Sequence, residues 1–153
     1  MKSHYTIWVY SDLSPRELLD DILRALGDFE IVGFEVSENI PGQVRCETSE
    51  GLNISVKPIR DLSNPWKNAG AEYGIKINAR IVMSGDYPEL GKINLLIWLI
   101  NGFIHEIESD VMIESLVQGL LLKKDGVYQI PSEAWEPEFL EQMVIDFTLV
   151  DEL

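Results

Sequence analysis

The sequence predicts a single α+β domain over residues 1–153, in which a mainly antiparallel sheet is covered by two main helices. Residues 73–83 alternate apolar and polar side chains, as in a strand with one packed face and one solvated face. Residues 88–107 repeat apolar side chains at helical spacing, so we expect a helix that covers the sheet. The full predicted order is strand, helix, four strands, helix, hairpin and tail, which is typical of helices packed on an antiparallel sheet.

The first predicted strand covers 5–10, and the helix after it has clear signals at both ends. Ser14 is a suitable N-cap, Pro15 fits the first helical position, and Glu17 completes a capping box. Gly27 supplies the C-terminal stop. The apolar stripe of this helix consists of Leu18, Leu19, Ile22, Leu23 and Leu26.

Three more strands are predicted next, over 30–36, 43–48 and 52–58. The last two can be placed in register. A three-residue loop that ends at Gly51 pairs Thr48 with Leu52 and Cys46 with Ile54, which keeps both apolar sets on one face. A two-residue turn would put them on opposite faces. We therefore expect the longer loop, with Gly51 in the left-handed conformation that such loops require.

The second half of the chain is predicted to hold a loop over 61–72, the strand 73–83, the helix 88–107, one strand within 112–124 and another over 127–130. Asp125 and Gly126 between the last two are a strong hairpin-turn signal. From Pro131 we expect an acidic C-terminal segment, residues 131–153, with a short helix near 137–144.

Charge is the most unusual property of the chain. It has 26 Asp and Glu against 12 Lys and Arg, a net charge of -14, and no Lys or Arg follows Lys124. Negative charge speeds association with cationic partners, whereas nucleic acid is improbable as a direct ligand because phosphate contacts need clustered Lys and Arg. The sequence therefore predicts a basic protein partner. The alternative left open is that the charge serves solubility alone.

Several classes of protein are disfavoured by what the chain lacks. Cys46 is the only cysteine, so an internal disulfide and a Cys-based zinc site are excluded, and its apolar strand position predicts a buried, inert thiol. The N-terminus has no signal-peptide core, and the longest apolar run, 95–100, is far shorter than the ~20 residues of a membrane span. We expect a cytoplasmic protein that does not bind a membrane.

Catalytic and metal-binding patterns are weak. No nucleophile, phosphate-loop or dinucleotide motif is present, so we predict no enzyme activity, catalytic residue or cofactor. His105 and Glu108 have the spacing to share an ion on one helix face, but the other histidine, His4, is remote in sequence. The preferred interpretation is a solvated helix flank without a metal.

A second candidate surface is the solvated face of the sheet, where four cations are expected to point outward: Arg45, Lys57, Lys76 and Arg80. One interpretation is that they hold an anionic ligand. The favoured interpretation is that they pair with the acids of the chain itself.

The predicted partner-binding surface lies in the C-terminal segment and consists of Glu133, Trp135, Glu136, Glu138, Glu141 and Asp146. Trp66, Trp98 and Trp135 fall outside the apolar stripes, and exposed aromatics are common at binding hot spots. Trp135 has acids on both sides and is the expected anchor. In the alternative, the segment folds back as a lid and buries Trp135 in the core.

Two parts of the chain resemble bacterial kin-discrimination immunity proteins of the swarming-inhibition type. The first is the β-α unit that opens at Ile7 with IWVYSDLSPREL; the second is the long strand, the apolar helix and DGVY at 125–128, followed by Trp135. The resemblance implies a small cytoplasmic protein that neutralises a toxin domain, often a basic nuclease, without catalytic residues of its own. The expected function is therefore that of an immunity protein that occludes the active site of a cognate toxin. The alternatives are another acidic interaction module, such as an adaptor or anti-repressor, or a small enzyme or ligand-binding domain.

Overall fold

The computed structural model describes residues 3–27, 30–49, 51–59, 72–85, 95–116 and 118–153. The described strands are β1 Ser3–Val9, β2 Ile31–Val36, β3 Val44–Thr48, β4 Leu52–Pro58, β5 Ala79–Gly85, β6 Val111–Ser115, β7 Gly119–Lys124, β8 Val127–Pro131 and β9 Phe147–Val150. The helices are α1 Pro15–Leu26, α2, which is α-helical over 95–99 and continues as a π-helical turn over Ile100–Ile104, and α3 Pro137–Leu140.

All nine strands belong to one sheet, in the spatial order β2-β3-β4-β5-β1-β6-β7-β8-β9. Every neighbouring pair is antiparallel except β8 and β9, which run parallel. The described chain is thus mainly sheet with few helices, which agrees with the α+β class predicted from the sequence. None of the helices described is long and apolar enough to cross a membrane.

Helix α1 forms where its end signals predict. The Ser14 hydroxyl accepts a hydrogen bond from the Glu17 amide at 3.2 Å, and the Glu17 carboxylate accepts one from the Ser14 amide at 3.1 Å. At the other end Gly27 has a φ of 92°, which favours glycine. The helix packs its apolar stripe on β3, β4 and the π-helical turn of α2, and it approaches α2 closely where Ala25 faces Gly102.

The predicted β3–β4 register is confirmed. Cys46 pairs with Ile54, both side chains are buried on the helix-covered face, and Gly51 has a φ of 85°. The second predicted turn is confirmed as well. Asp125 and Gly126 both have positive φ and join β7 to β8 in a two-residue hairpin turn.

The predicted strand 73–83 is wrong in its first half, because β5 begins only at Ala79. Gly74 turns the chain with a φ of 69°, and the Asn78 side chain then binds the backbone of Ser11 in both directions, at 2.9 and 2.7 Å. Ile75 and Ile77 are buried as expected, but they pack on the opposite face of the sheet, in a second apolar cluster that also contains Trp8, Ile59, Met112 and Leu122.

Two further differences lie in the second half of the chain. The stretch 112–124 contains the two strands β6 and β7 rather than one, joined by a turn in which the Ser115 hydroxyl bonds Gln118. Strand β9 was not predicted at all. The predicted loop 61–72 lies outside the described residues except for its last residue, as do Trp66 and the first part of the predicted helix 88–107.

Helix α2 ends at Ile104, earlier than predicted, and a buried cation binds carbonyl oxygens at this end and just beyond it. Lys123, which β7 directs under the helix, donates hydrogen bonds from Nζ to the carbonyl oxygens of Ile104 and Ile107. A positive charge at a helix C-terminus is stabilising. Burial lowers the pKa of Lys123, and the nearby carboxylates of Asp110 and Glu108 act in the opposite direction.

Candidate protein-interaction site

The C-terminal segment, residues 131–153, folds back on the sheet and contributes to the main core. Trp135 is only 7 % exposed, and its indole Nε1 donates a hydrogen bond to the backbone carbonyl of Leu120 at 3.0 Å. Phe139, Met143 and Ile145 are buried in the same core. The segment is therefore a folded part of the domain and not an extended acidic tail.

Asn101 on α2 attaches the middle of this segment to the helix layer. Its Nδ2 donates to the carbonyl of Gln142 at 3.0 Å, and its Oδ1 accepts from the amide of Val144 at 2.9 Å. Beyond this contact β9 pairs in parallel with β8, and the Ser132 amide bonds the carbonyl of Val150 at 2.8 Å. The segment is thus held at its start, middle and end.

The buried anchors alternate with exposed acids. The five predicted partner-binding carboxylates are all exposed: Glu133, Glu136, Glu138, Glu141 and Asp146. Within the described ranges none of them has a Lys, Arg or His nitrogen within 4 Å, and the ion pairs given by the structure, Arg16–Asp20 and Arg24–Asp21, both lie on α1. The folded segment therefore presents exposed acids that have no ion-pair partner among the described residues.

Trp135 does not share this surface. The structure has the arrangement that the sequence left as an alternative, in which the segment folds back and encloses the indole. Two exposed apolar residues adjoin Asn101 instead: Trp98, 49 % exposed and one helical turn before it, and Val144, whose backbone amide it binds. The sequence indicates Trp98, a tryptophan outside the apolar stripes, but no sequence pattern indicates Val144.

Three of the four cations expected on the solvated sheet face lie on adjacent strands, because Arg45 of β3 pairs with Ser55, two residues before Lys57 on β4. Lys57 and Arg80 lie directly opposite each other on β4 and β5, and the Arg80 guanidinium lies 5.5 Å from the ring centroid of Trp8. Burial lowers the pKa of Arg80, against the opposing influence of Glu114. Lys76 lies 4.6 Å from the centroid of the Tyr10 ring. Two of the four are therefore engaged with aromatic rings.

Arg45, the fourth cation, lines a separate groove on this open face. The groove has a volume of about 320 Å³ and crosses strands β2 to β5. Among its lining residues are Gly33, Glu35 and Glu47, so it is not purely cationic.

His105 and Glu108 are exposed, as the interpretation of a solvated flank predicts, but α2 ends at Ile104, so the predicted shared helix face is wrong. In the described parts of the chain no three His, Cys, Asp or Glu side chains come together in a way that could hold a metal ion. Comparison with known proteins gave no match to a family model, to a curated protein or to a solved structure.

Proposed function

We propose that this chain is an immunity protein that acts in the cytoplasm, where it binds a cognate toxin with a basic surface and occludes the active site of that toxin. The observation that carries the proposal is the set of five exposed carboxylates on one folded segment, without a cation partner among the described residues. The resemblance of the β-α unit 7–18 and of the later strand, helix and hairpin to immunity proteins supports the same function.

Electrostatics explains why such a surface suits a toxin inhibitor. Complementary charge raises the association rate from about 10⁵–10⁶ to as much as 10⁸–10⁹ M⁻¹s⁻¹ at low salt. Carboxylates carry negative charge, as phosphate groups do, so they can occupy the positions where a nuclease binds the phosphates of its substrate. Because the segment is already folded and attached through Asn101 and Trp135, little ordering entropy is lost on binding.

Slow dissociation needs an apolar centre as well as charge. In this proposal Trp98 and Val144 provide it, in place of the buried Trp135. Both lie next to Asn101, and the acids Glu141 and Asp146 flank Val144 in sequence. An exposed tryptophan surrounded by polar groups has the composition of a binding hot spot.

The test compares two variants with the same change of net charge. In the first, Glu133, Glu136, Glu138, Glu141 and Asp146 are changed to Gln or Asn. In the control, Asp12, Asp20, Asp21, Glu72 and Glu106 are changed in the same way. Each is measured against the basic protein that co-purifies with the tagged chain from its native cell extract. The measurements are stopped-flow association at about 50 and about 300 mM NaCl and protection of cells that express that protein.

We expect the segment variant to associate about 10²-fold more slowly at low salt and to lose most of its salt dependence, while the control changes less than about threefold. Trp98→Ala should leave the association rate unchanged and raise the dissociation rate. Equal rates for the segment variant and the wild type would overturn the assignment of the surface. Absence of protection by the wild-type protein would overturn the immunity function itself.

Another acidic interaction module, such as an adaptor or anti-repressor, would use the same surface. It would show the same salt-dependent association with a basic protein that is not toxic, and it would give no protection against a toxin.

A further inference from the structure

Strand β2 forms one edge of the sheet and is unusually apolar for an exposed edge. Its single neighbour among the described strands is β3, so the N–H and C=O groups on its outer side have no ladder partner in the described chain. Four of its six residues are exposed large hydrophobics: Ile31 45 %, Val32 59 %, Phe34 39 % and Val36 62 %. A bare apolar edge is a template for pairing with another strand.

The helix-covered side of β2 extends the apolar face of the sheet beyond helix α1. Phe34 pairs with Cys46 and Val36 with Val44, and both partners are buried while the β2 residues are not. Cover from α1 comes through Arg16, whose guanidinium lies 4.2 Å from the centroid of the Phe34 ring. On this side, the side chains of an added strand would contact exposed apolar residues.

The open side of β2 has a different character, because a gap occurs at Gly33. Gly33 lies opposite Glu47 in the ladder, and a methyl group placed on it would lie 3.8 Å from the Glu47 Cβ. Without a side chain there, the groove of about 320 Å³ is open toward the edge of the sheet. Its lining includes the polar side chains of Asn53, Ser55 and Ser84.

Charge at this edge is predominantly negative. Glu30, Glu35, Glu38 and Glu47 are exposed around β2, against the cations Arg16 and Arg45. A second copy of the chain would bring the same acids together across the new ladder, and like charges on facing strands are destabilising. The charges therefore favour a basic strand over self-association.

We propose that the β2 edge binds an extended segment of a partner protein by strand addition. The segment has apolar side chains on one face and Lys or Arg on the other, and one cationic side chain passes over Gly33 to reach Glu47. Backbone hydrogen bonds give affinity in this mode, and alternate side chains give specificity. The site is distinct from the proposed toxin surface in its residues, because β2 is the edge of the sheet opposite to β9, which the C-terminal segment forms.

The probe is a synthetic ten-residue peptide of alternating Val and Lys, acetylated, amidated and labelled with a fluorophore. Its binding to the full chain is measured by fluorescence anisotropy, and the site is located by amide chemical shifts of residues 31–36. Two control peptides separate the contributions. One carries N-methyl groups on alternate residues, which block the ladder on one edge, and the other has Glu in place of Lys.

Variants of the chain complete the test. Gly33→Leu closes the mouth of the groove without a forbidden backbone angle, and we expect at least tenfold weaker binding of the Val-Lys peptide. Glu47→Gln should weaken it about fivefold and leave a Val-Thr peptide unaffected. Thr148→Leu on the opposite edge strand is the matched control and should change binding less than twofold.

The proposal predicts that both control peptides bind at least tenfold more weakly than the probe and that shift changes centre on β2. It is overturned if the probe does not bind at about 1 mM, or if N-methylation or Gly33→Leu leaves binding unchanged. Shift changes that centre on 131–153 would mean that charge alone attracts the peptide. Dimers in sedimentation that Val36→Lys dissociates would identify a second copy as the occupant and would also overturn it.

Discussion

The two edge strands of the sheet, β2 and β9, differ in their composition and in how they are attached to the rest of the fold. Next to β9 the segment is rich in acids, yet it is held by Trp135, by Asn101 and by a parallel ladder to β8. At the other end β2 is rich in apolar residues, yet four of its side chains are exposed. Composition alone would suggest the reverse. The comparison teaches that a few buried anchors decide how firmly an edge is attached, since β9 is itself an edge strand whose Leu149 is 51 % exposed.

A physical reason for this arrangement lies in the charge. Acids placed close together repel one another, so a segment that presents five of them stays folded only if buried contacts offset the repulsion. Trp135, Phe139, Met143 and Ile145 supply those contacts. Four exposed acids also surround β2, but the cations Arg16 and Arg45 lie among them, and the Arg16 guanidinium lies over Phe34.

The largest effect on stability is expected when a buried anchor of the C-terminal segment is removed. Trp135→Ala should lower the free energy of unfolding by about 3–5 kcal/mol, because a buried aromatic and its hydrogen bond to Leu120 are lost. Phe34→Ala, at the open edge, should cost about 1 kcal/mol or less. Urea denaturation of both variants measures the two values. Similar losses of unfolding free energy in the two variants would contradict the view that only one edge is firmly attached.

A smaller effect is expected at Asn101. Asn101→Ala removes two hydrogen bonds that hold residues 142 and 144, at a cost of about 1–3 kcal/mol. Hydrogen exchange should quicken over residues 137–150 and stay unchanged in β2 and β3. Asn53→Ala, on the open sheet face, is the matched control and should have little effect. Uniform acceleration across the sheet would mean that Asn101 stabilises the whole domain and not the segment.

Local signals in the sequence were sufficient for part of the fold. The Ser14–Glu17 capping box, the 125–126 turn and the pairing of Cys46 with Ile54 each depend on residues close in sequence, and the structure contains all three. Ile75 and Ile77 show the limit of this reasoning. Their alternation predicts burial but not which face of the sheet buries them, because both faces carry an apolar cluster.

The candidate site was predictable only in its charges. The five acids were chosen from composition and are exposed, whereas the location of Trp135 depends on a carbonyl at Leu120, 15 residues earlier in the chain. Strand β9 was missed for a similar reason, since its four residues form a strand only beside β8. Neither long-range contact has a local signature.

The half of the sheet that ends at β9 also contains a desolvated cation. This cation gives a prediction of how stability depends on pH. Burial places the pKa of Lys123 below its usual value of 10.5, so near this pH the unfolded chain binds more protons than the folded chain. Stability of the wild type relative to Lys123→Met should therefore rise with pH through the window that ends at about 10.5. The raised pKa values of Tyr73 and Tyr128 act in the opposite direction, but both tyrosines are present in both proteins. A flat difference between the two denaturation series would show that Lys123 is not desolvated in solution.

The smallest expected effect concerns Cys46, which lies beneath the open edge, paired with Phe34. Burial raises the pKa of its thiol, and the side chain is almost fully enclosed, so reaction with an aromatic disulfide reagent requires β2 to separate from β3. Because β2 is an edge strand with four exposed large hydrophobics, we expect this opening to be local. Phe34→Ala should speed labelling of the native protein about fivefold, the equivalent of about 1 kcal/mol. Asn101→Ala, which loosens the opposite end, should leave the rate unchanged. If the labelling rate instead followed the global free energy of unfolding in both variants, the two edges would open together. The exposure of β2 would then concern its side chains alone and not how firmly the strand is attached to β3.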